Sequence, residues 1–363
     1  MDNASLFAWL LASHDIHIKP GPFFSIAPPP LSPDFDFGRI EGMLLGLAVG
    51  DALGNTSEAM LPQERRRYYG EIRDYLPNRY IQGQRVGLPS DDTQLAFWTL
   101  EQMLEDDGLV PDRMASRFAR GHIFGLGATV RQFQFNYHSG LPWYRCGPRS
   151  AGNGALMRIA PVLIPRLRRP TSDLWIDAAL AAMITHNDSG SIAACLSFVY
   201  LLWELIRMTN PPEPEWWYRT YIAVAKELEL SRYRPRGGEY LGFHGPIWEF
   251  VKLAIEDAWN QNLSVLEVDR RCYSGAYLLE TVPLVLYILM LYAHDPEEAI
   301  VRAVNDTKDN DTIAAIVGAA VGALHGHHRL PDRWLMGLLG RTAADDDGQV
   351  FSLIASARRR WWT

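Results

Sequence analysis

Cysteine is scarce: the chain carries only Cys146, Cys195 and Cys272, odd in number and far apart. No disulfide framework and no thiolate zinc site can be built from such a set, and a reducing cytosol is the expected compartment. A basic excess is missing too. Lys and Arg total 35 against 42 Asp and Glu, a net charge of −7. That argues against a general nucleic-acid binder, whose affinity depends on neutralising phosphates. Long apolar runs are absent: the longest, Val282 to Ala293, falls short of the ~20 residues that span a bilayer. The apolar patch Leu6 to Ala12 follows Asp2 rather than a basic leader, so neither a targeting segment nor a membrane partner is expected. Alternating strand patterns with hairpin turns are nearly missing. What remains is a soluble chain, 48% hydrophobic and 21% charged, long enough to bury a core without staples.

Residues 1–37 differ from the rest. Pro20, Pro22, Pro28, Pro29, Pro30 and Pro33 alternate there with Phe23, Phe24, Ile26, Leu31, Phe35 and Phe37. Proline at that density favours extended backbone, and the aromatics are too apolar for a solvated linker. The segment reads as an extended arm lying on its own domain or on a partner. Residues 38–363 read as a helical domain. Ile40, Met43, Leu44, Leu47, Ala48 and Asp51 recur at helical spacing and predict an amphipathic helix ending near Gly54. Similar patterns predict helices over 93–105, 177–186, 190–207, 215–228, 245–260, 275–292 and 312–325. The arginines at 358–360 suit a helix C-terminus.

Two acidic clusters open predicted helices: Ser90-Asp91-Asp92-Thr93 and Asp309-Asn310-Asp311-Thr312. Helix capping explains one carboxylate in each. Both clusters, however, hold more carboxylates than a cap uses, beside hydroxyls and at the edge of apolar helices. Crowded carboxylates near a core call for a cation, and Asp, Ser and Thr oxygens suit hard ions such as Mg²⁺, Mn²⁺ or Ca²⁺. If the helices converge, the donors suffice for two ions. Asp51 lies on the apolar stripe, where a satisfied structural carboxylate is the simpler reading. Glu58 lies past the Gly54 stop, in a loop suited to catalysis. The run Ser150-Ala151-Gly152-Asn153-Gly154 leads into a predicted helix and could cradle a phosphate, although Gly-x-Gly turns are also common punctuation. His186, where a helix ends, is as readily structural as functional.

Together these motifs resemble the ADP-ribosylglycohydrolase family. The resemblance covers Gly42–Glu58 (GMLLGLAVGDALGNTSE), Ser90–Thr93, Gly152–Arg158, Thr185-His186, Ser274–Tyr287 and Ala303–Gly322, in order. It implies an all-α fold, a single orthogonal helical domain with a di-metal cleft, and cleavage of ADP-ribose from a modified group. It makes Ser90, Asp91, Asp92, Asp309, Asp311 and Thr312 metal ligands for two divalent cations, Mg²⁺ first and Mn²⁺ as the alternative. Glu58 joins Asp91 and Asp311 in catalysis. Ser150, Gly152, Asn153 and Gly154 would cradle the diphosphate, and His186 would border the ADP-ribose. Thr307 and Lys308 stand where members have two glycines, and Asn310 where they have threonine; such bulk and charge could reshape the ribose site. The arm makes the chain similar to bacterial immunity proteins of the group, which counter an ADP-ribosyltransferase toxin.

The preferred reading is a hydrolase freeing ADP-ribose from protein side chains, arginine first, whose arm also inserts into a toxin. A non-catalytic toxin blocker with a vestigial metal site is the rival, and a di-metal phosphoesterase a third. An arm that only stabilises its own domain is the plain alternative for residues 1–37.

Overall fold

The structure, a computed structural model, describes residues 1–344 and 347–362. Its helices are α1 Asn3–Ala12, α2 Gly38–Gly54, α3 Pro62–Tyr69, α4 Asp91–Asp106, α5 Pro111–Arg120, α6 Ala128–His138, α7 Asp173–Met183 and α8 Ser189–Leu205. They continue with α9 Pro214–Leu228, α10 Ile247–Asn260, α11 Val265–Cys272, α12 Leu278–Tyr292, α13 Pro296–Asp306, α14 Asn310–His325, α15 Asp332–Gly337 and α16 Gln349–Trp361. Among the described residues β pairing is limited to isolated bridges. The fold is all-α, as expected. The long helices fall within about one turn of their predicted bounds. Shorter helices lie between the predicted ones; Pro62, Pro111 and Pro296 start three of them, where the missing N–H costs nothing.

Helix α2 is not amphipathic. Only Arg39, Glu41 and Leu45 escape full burial, so it runs through the core as a helix enclosed on nearly all sides. Its partner is α14, equally buried from Asn310 to Leu324. Gly42, Gly46, Gly50 and Gly54 recur every fourth residue and line one face of α2. Against them lie Gly322, Gly318, Ala314 and Asp311 in descending order, so the two helices are antiparallel. A Cβ on Gly46 would stand 2.1 Å from the carbonyl oxygen of Gly318, and one on Gly50 equally near that of Ala314. Backbone rests directly on backbone, which side chains would forbid.

The N-terminal arm is not extended throughout, contrary to the expectation for residues 1–37. Residues 3–12 form α1, capped by Asp2 accepting from Ser5 N–H; the prolines begin only at Pro20, so nothing opposes a helix before them. Beyond it the chain is largely extended, apart from a 3₁₀ turn at Pro22–Ser25. The arm lies on its own domain: Phe7, Leu10, Ile16, Ile18, Phe23 and Phe37 are buried. Phe23 packs at a tilt against Trp175, 4.8 Å between ring centroids. The three cysteines are free and buried, and no helix among the described residues is long and apolar enough to cross a membrane. Arg358, Arg359 and Arg360 fall in the last turn of α16, as the dipole favours.

Replacing Gly46 with Ala should destabilise the chain by about 3 kcal/mol, because neither backbone can yield locally. Gly242→Ala, where an added Cβ meets nothing within 4 Å, should stay within about 0.5 kcal/mol. Urea denaturation compares them; equal midpoints would refute the backbone contact.

Candidate metal centre

The antiparallel pairing sets the end of α2 beside the start of α14, and α4 begins at the same place. One oxygen from each of Asp51, Asp92 and Asp311 lies within 4.8 Å of the others, as do oxygens of Glu58, Asp309 and Asp311. Asp311 belongs to both triads, so two adjacent cation positions share it. They form the floor of a 520 Å³ cleft walled by Asp91, Thr312, Ser150, Gly152, Asn153, Gly154 and His186. Glu58, Asp92, Asp309 and Asp311 line it as well, whereas Asp51 and Ser90 sit just behind, Ser90 as the N-cap of α4.

Asp51 organises that N-terminus. It accepts from the backbone N–H of Ser90 and of Thr93, from the Ser90 hydroxyl at 2.7 Å and from the Thr93 hydroxyl at 2.6 Å. Asp51 is thus buried and hydrogen-bonded, as its place on the apolar stripe implies, and it also supplies one oxygen of the first triad. Ser90 keeps lone pairs for an ion after donating to Asp51.

Asn153 binds differently from expectation. Its side-chain amide donates to Asp309 Oδ2 at 2.6 Å and to Thr281 Oγ1 at 3.0 Å, and its backbone N–H to Ala276 O. It orients Asp309 and has no donor left for a diphosphate. Nor does an α-helix follow the glycines. Leu156–Arg158 is a 3₁₀ turn, too short to supply a dipole, because Pro161 and Pro165 interrupt the following segment. The glycines also make room for His186: a Cβ on Gly154 would stand 2.9 Å from its Cε1.

Thr307, Lys308 and Asn310 stay out of both triads. Thr307 donates its hydroxyl to Ala303 O. Asn310 ties α14 to Gly54 O, Ser57 Oγ and Val304 O. The Lys308 ammonium rests on the Tyr273 ring, 5.2 Å from its centroid. It lines a side pocket of 380 Å³ with Glu58, Arg236, Glu280 and Asp309.

Sequence reasoning missed two arginines. Buried Arg65 donates to Ser57 Oγ, Met60 O and Thr307 O, fastening the loop that carries Glu58 to the loop that carries Asp309. Arg236 makes a two-pronged contact with buried Glu280 at the cleft wall. Arg65 lies in a run of three arginines, and its residue type does not distinguish it from the exposed Arg66 and Arg67.

Burial dominates the electrostatics. It drives Asp92 and Asp311 well above the ordinary carboxylate range, and neighbouring carboxylates add to the effect. Burial and the Asp51 charge carry Asp91 to about 8. Asp309 reaches about 6 through burial, held back by the Asn153 hydrogen bond. Asp92 Oδ1 is buried with no hydrogen-bond partner. An unpartnered carboxylate oxygen among crowded carboxylates and hydroxyls is the donor set of a hard divalent cation, and the residues fit one.

The chain belongs to the ADP-ribosylglycohydrolase family, which it matches over residues 32–360. It is 26% identical to the ADP-ribosyl-[dinitrogen reductase] glycohydrolase of Rhodospirillum rubrum, over 88% of this chain and 96% of that protein. It is 25% identical to the ADP-ribosylarginine hydrolase Tri1 of Pseudomonas putida, over 84% of this chain and 75% of that one. A solved structure described as an ADP-ribosylglycohydrolase-related protein complex superposes with a TM-score of 0.61 at 25% identity, covering 89% of this chain and 98% of its own. Family members hydrolyse ADP-ribosyl linkages and are typically dependent on divalent metals.

The raised carboxylates make stability depend on pH. Without metal, each binds its proton more tightly folded than unfolded, so its contribution is full below the ordinary value of 3.8 and is lost as pH rises through its folded value, about 6 for Asp309 and about 8 for Asp91. In EDTA the melting temperature should fall between about pH 5 and pH 8. Mg²⁺ or Mn²⁺ should restore it, most at the higher pH. Thermal melts across that range test this; a cation effect equal at both ends would argue against the cluster as the binding site.

Proposed function

We propose that this chain is a divalent-cation-dependent hydrolase that releases ADP-ribose from modified protein side chains, arginine first, acting on an ADP-ribosylated protein. The observation that carries the reading is the pair of carboxylate triads sharing Asp311 on the floor of a cleft walled by glycines and His186. Asp91, Asp92, Asp309 and Asp311, with the hydroxyls of Ser90 and Thr312, are the ligands proposed for two ions, Mg²⁺ or Mn²⁺. Bound there, such ions supply polarisation of substrate oxygens and charge neutralisation.

The chain's own groups do the rest. Glu58, at the exposed rim, has its carboxyl raised by the protein around it and by Asp51, which suits it to take or return a proton beside the anomeric carbon. Asn153 holds Asp309 in place, and Asp51 holds the α4 terminus that carries Asp91 and Asp92. The side pocket beyond Glu58, with Glu280 aligned by Arg236, is open to the leaving side chain. Its carboxylates outnumber its cations, which favours a guanidinium there. The name of the Pseudomonas putida relative supports the same linkage.

Protection of a cell against an ADP-ribosyltransferase toxin fits this chemistry, since hydrolysis reverses such a modification. Direct blockade by the arm has less to stand on. Of its large aromatics only Trp9 is substantially exposed, at 41%, and it packs edge-on against Tyr144. The arm-as-stabiliser alternative agrees better with Phe7, Phe23 and Phe37 in the core.

Incubation of an arginine-ADP-ribosylated protein with the chain and Mg²⁺ should yield unmodified arginine and free ADP-ribose by mass spectrometry. Asp311→Ala should lower turnover more than about a hundredfold, and EDTA should do the same. Binding without turnover would favour the non-catalytic rival; release of AMP would favour a phosphoesterase. Deleting residues 1–37 should lower the melting temperature by stripping Phe7, Phe23 and Phe37 from the core. A truncated chain of unchanged stability that no longer binds a toxin would restore the blocking role.

A further inference from the structure

Behind the glycine loop lies a buried chain of groups that the reaction described above does not use. Arg158 has no exposed surface and no carboxylate partner among the described residues. Its guanidinium lies over Phe118, 4.7 Å from the ring centroid. Nη2 donates to Ala181 O at 3.0 Å and to Thr185 Oγ1 at 2.8 Å, while Nε and Nη1 have no partner. Burying a guanidinium without a counter-charge costs several kcal/mol, so a role that needs the charge is to be sought. Thr185, fully buried, places Oγ1 2.9 Å from His186 Nδ1.

The available protons fix how these groups are joined. A guanidinium only donates, so Thr185 Oγ1 accepts from Arg158. The threonine's own proton then needs an acceptor, and among the described residues His186 Nδ1 is the one at hydrogen-bonding distance. Were Nδ1 protonated, it and Arg158 would both donate to Oγ1, leaving a buried hydroxyl proton unpaired. Nδ1 therefore accepts, and the ring proton sits on Nε2. That nitrogen has no protein partner among the described residues. It faces the glycine loop, 3.2 Å from where a Cβ on Gly152 would stand.

We propose that Arg158 and Thr185 act as positioning residues that lock His186 as the neutral Nε2–H tautomer, so that it donates a hydrogen bond to an oxygen of the ADP-ribosyl group seated on the Gly152–Gly154 loop. The donor role rests on the hydrolase reading above; the tautomer does not. Burial and the Arg158 charge also hold the imidazolium form off, lowering the ring to about 3, so the donor carries no net charge and keeps its proton across the working range of pH. A locked Nδ1–H ring would instead turn a lone pair towards the ligand's oxygens.

Full-length protein labelled with ¹⁵N-histidine, free of metal and ligand, gives the test. Long-range ¹H–¹⁵N correlation separates a protonated ring nitrogen from an unprotonated one, and the His186 signal is assigned by its loss in His186→Gln. The expected spectrum shows Nε2 protonated and Nδ1 bare. Thr185→Val should shift the ring towards Nδ1–H and weaken ADP-ribose binding roughly tenfold by calorimetry, with Thr185→Ser restoring both. A wild-type ring protonated at Nδ1 overturns the proposal, as does Thr185→Val with an unchanged tautomer and affinity. If Thr185→Val does not fold, the wild-type spectrum alone still decides. A wild-type Nε2–H ring in a protein that binds no ADP-ribose would overturn the donor role and the hydrolase reading together while leaving the tautomer standing.

Discussion

The contact of α2 with α14, backbone on backbone, is the constraint from which the site follows. With no side chains between Gly46 and Gly318, or between Gly50 and Ala314, the two helices close to a separation that ordinary residues exclude. At the far end of that seam Gly54 meets the backbone of Asp311. The carboxylates of Asp51 and Asp311 are therefore forced together by the same geometry that packs the core. Asp51 then recruits the start of α4 through the backbone N–H groups of Ser90 and Thr93, bringing Asp92 to the same point. One seam delivers three carboxylates from three helices.

Such convergence opposes folding. Once ionised, two triads of buried acidic groups represent stored repulsion, and the surrounding protein offsets only part of it. Asn153 relieves Asp309, hydroxyls relieve Asp51, and buried Arg65 clamps the flanking loops through carbonyls rather than by pairing with the triads. Asp92 Oδ1 is left with nothing. A scaffold that fixes its acids so rigidly while leaving an oxygen unsatisfied is preorganised for a cation: ion binding needs little rearrangement and returns the repulsion as affinity.

What could be read from the sequence divides along a physical line. Chemistry that shows in residue type was legible: doubled aspartates at helix starts, the loop glutamate Glu58, the helical periods and the absence of strands. Geometry achieved by leaving something out was not. The four-residue spacing of Gly42, Gly46, Gly50 and Gly54 is visible once its meaning is known, yet the apolar residues between them suggest an amphipathic helix. Side chains that serve through partners distant in the chain also escaped. Arg65 looks like Arg66 and Arg67, which are exposed, and Asn153 looks like a phosphate-loop residue until Asp309 is seen beside it. Lys308 stands outside both triads yet lines the pocket beside Glu58 and Asp309, a placement that its position in the sequence does not disclose.

The arm shows how a segment outside the family match can still bear on the site. Residues 1–31 precede the matched region, and proline-rich backbone leaves its carbonyls without internal partners. Two buried tryptophans of the core supply them: Trp175 Nε1–H donates to Ile26 O at 2.6 Å and Trp203 Nε1–H to Pro29 O at 2.9 Å. Each side satisfies what the other lacks, since a buried indole N–H left alone costs about 1–3 kcal/mol. Trp175 and Trp203 stand on α7 and α8, the helices joined by the turn that carries His186. The arm also grips that turn directly, with His17 N–H donating to Asn187 Oδ1 and Asn187 Nδ2 to Asp15 O. His186 is therefore held from within by Thr185 and, through its neighbour Asn187, from outside by residues the family match does not include.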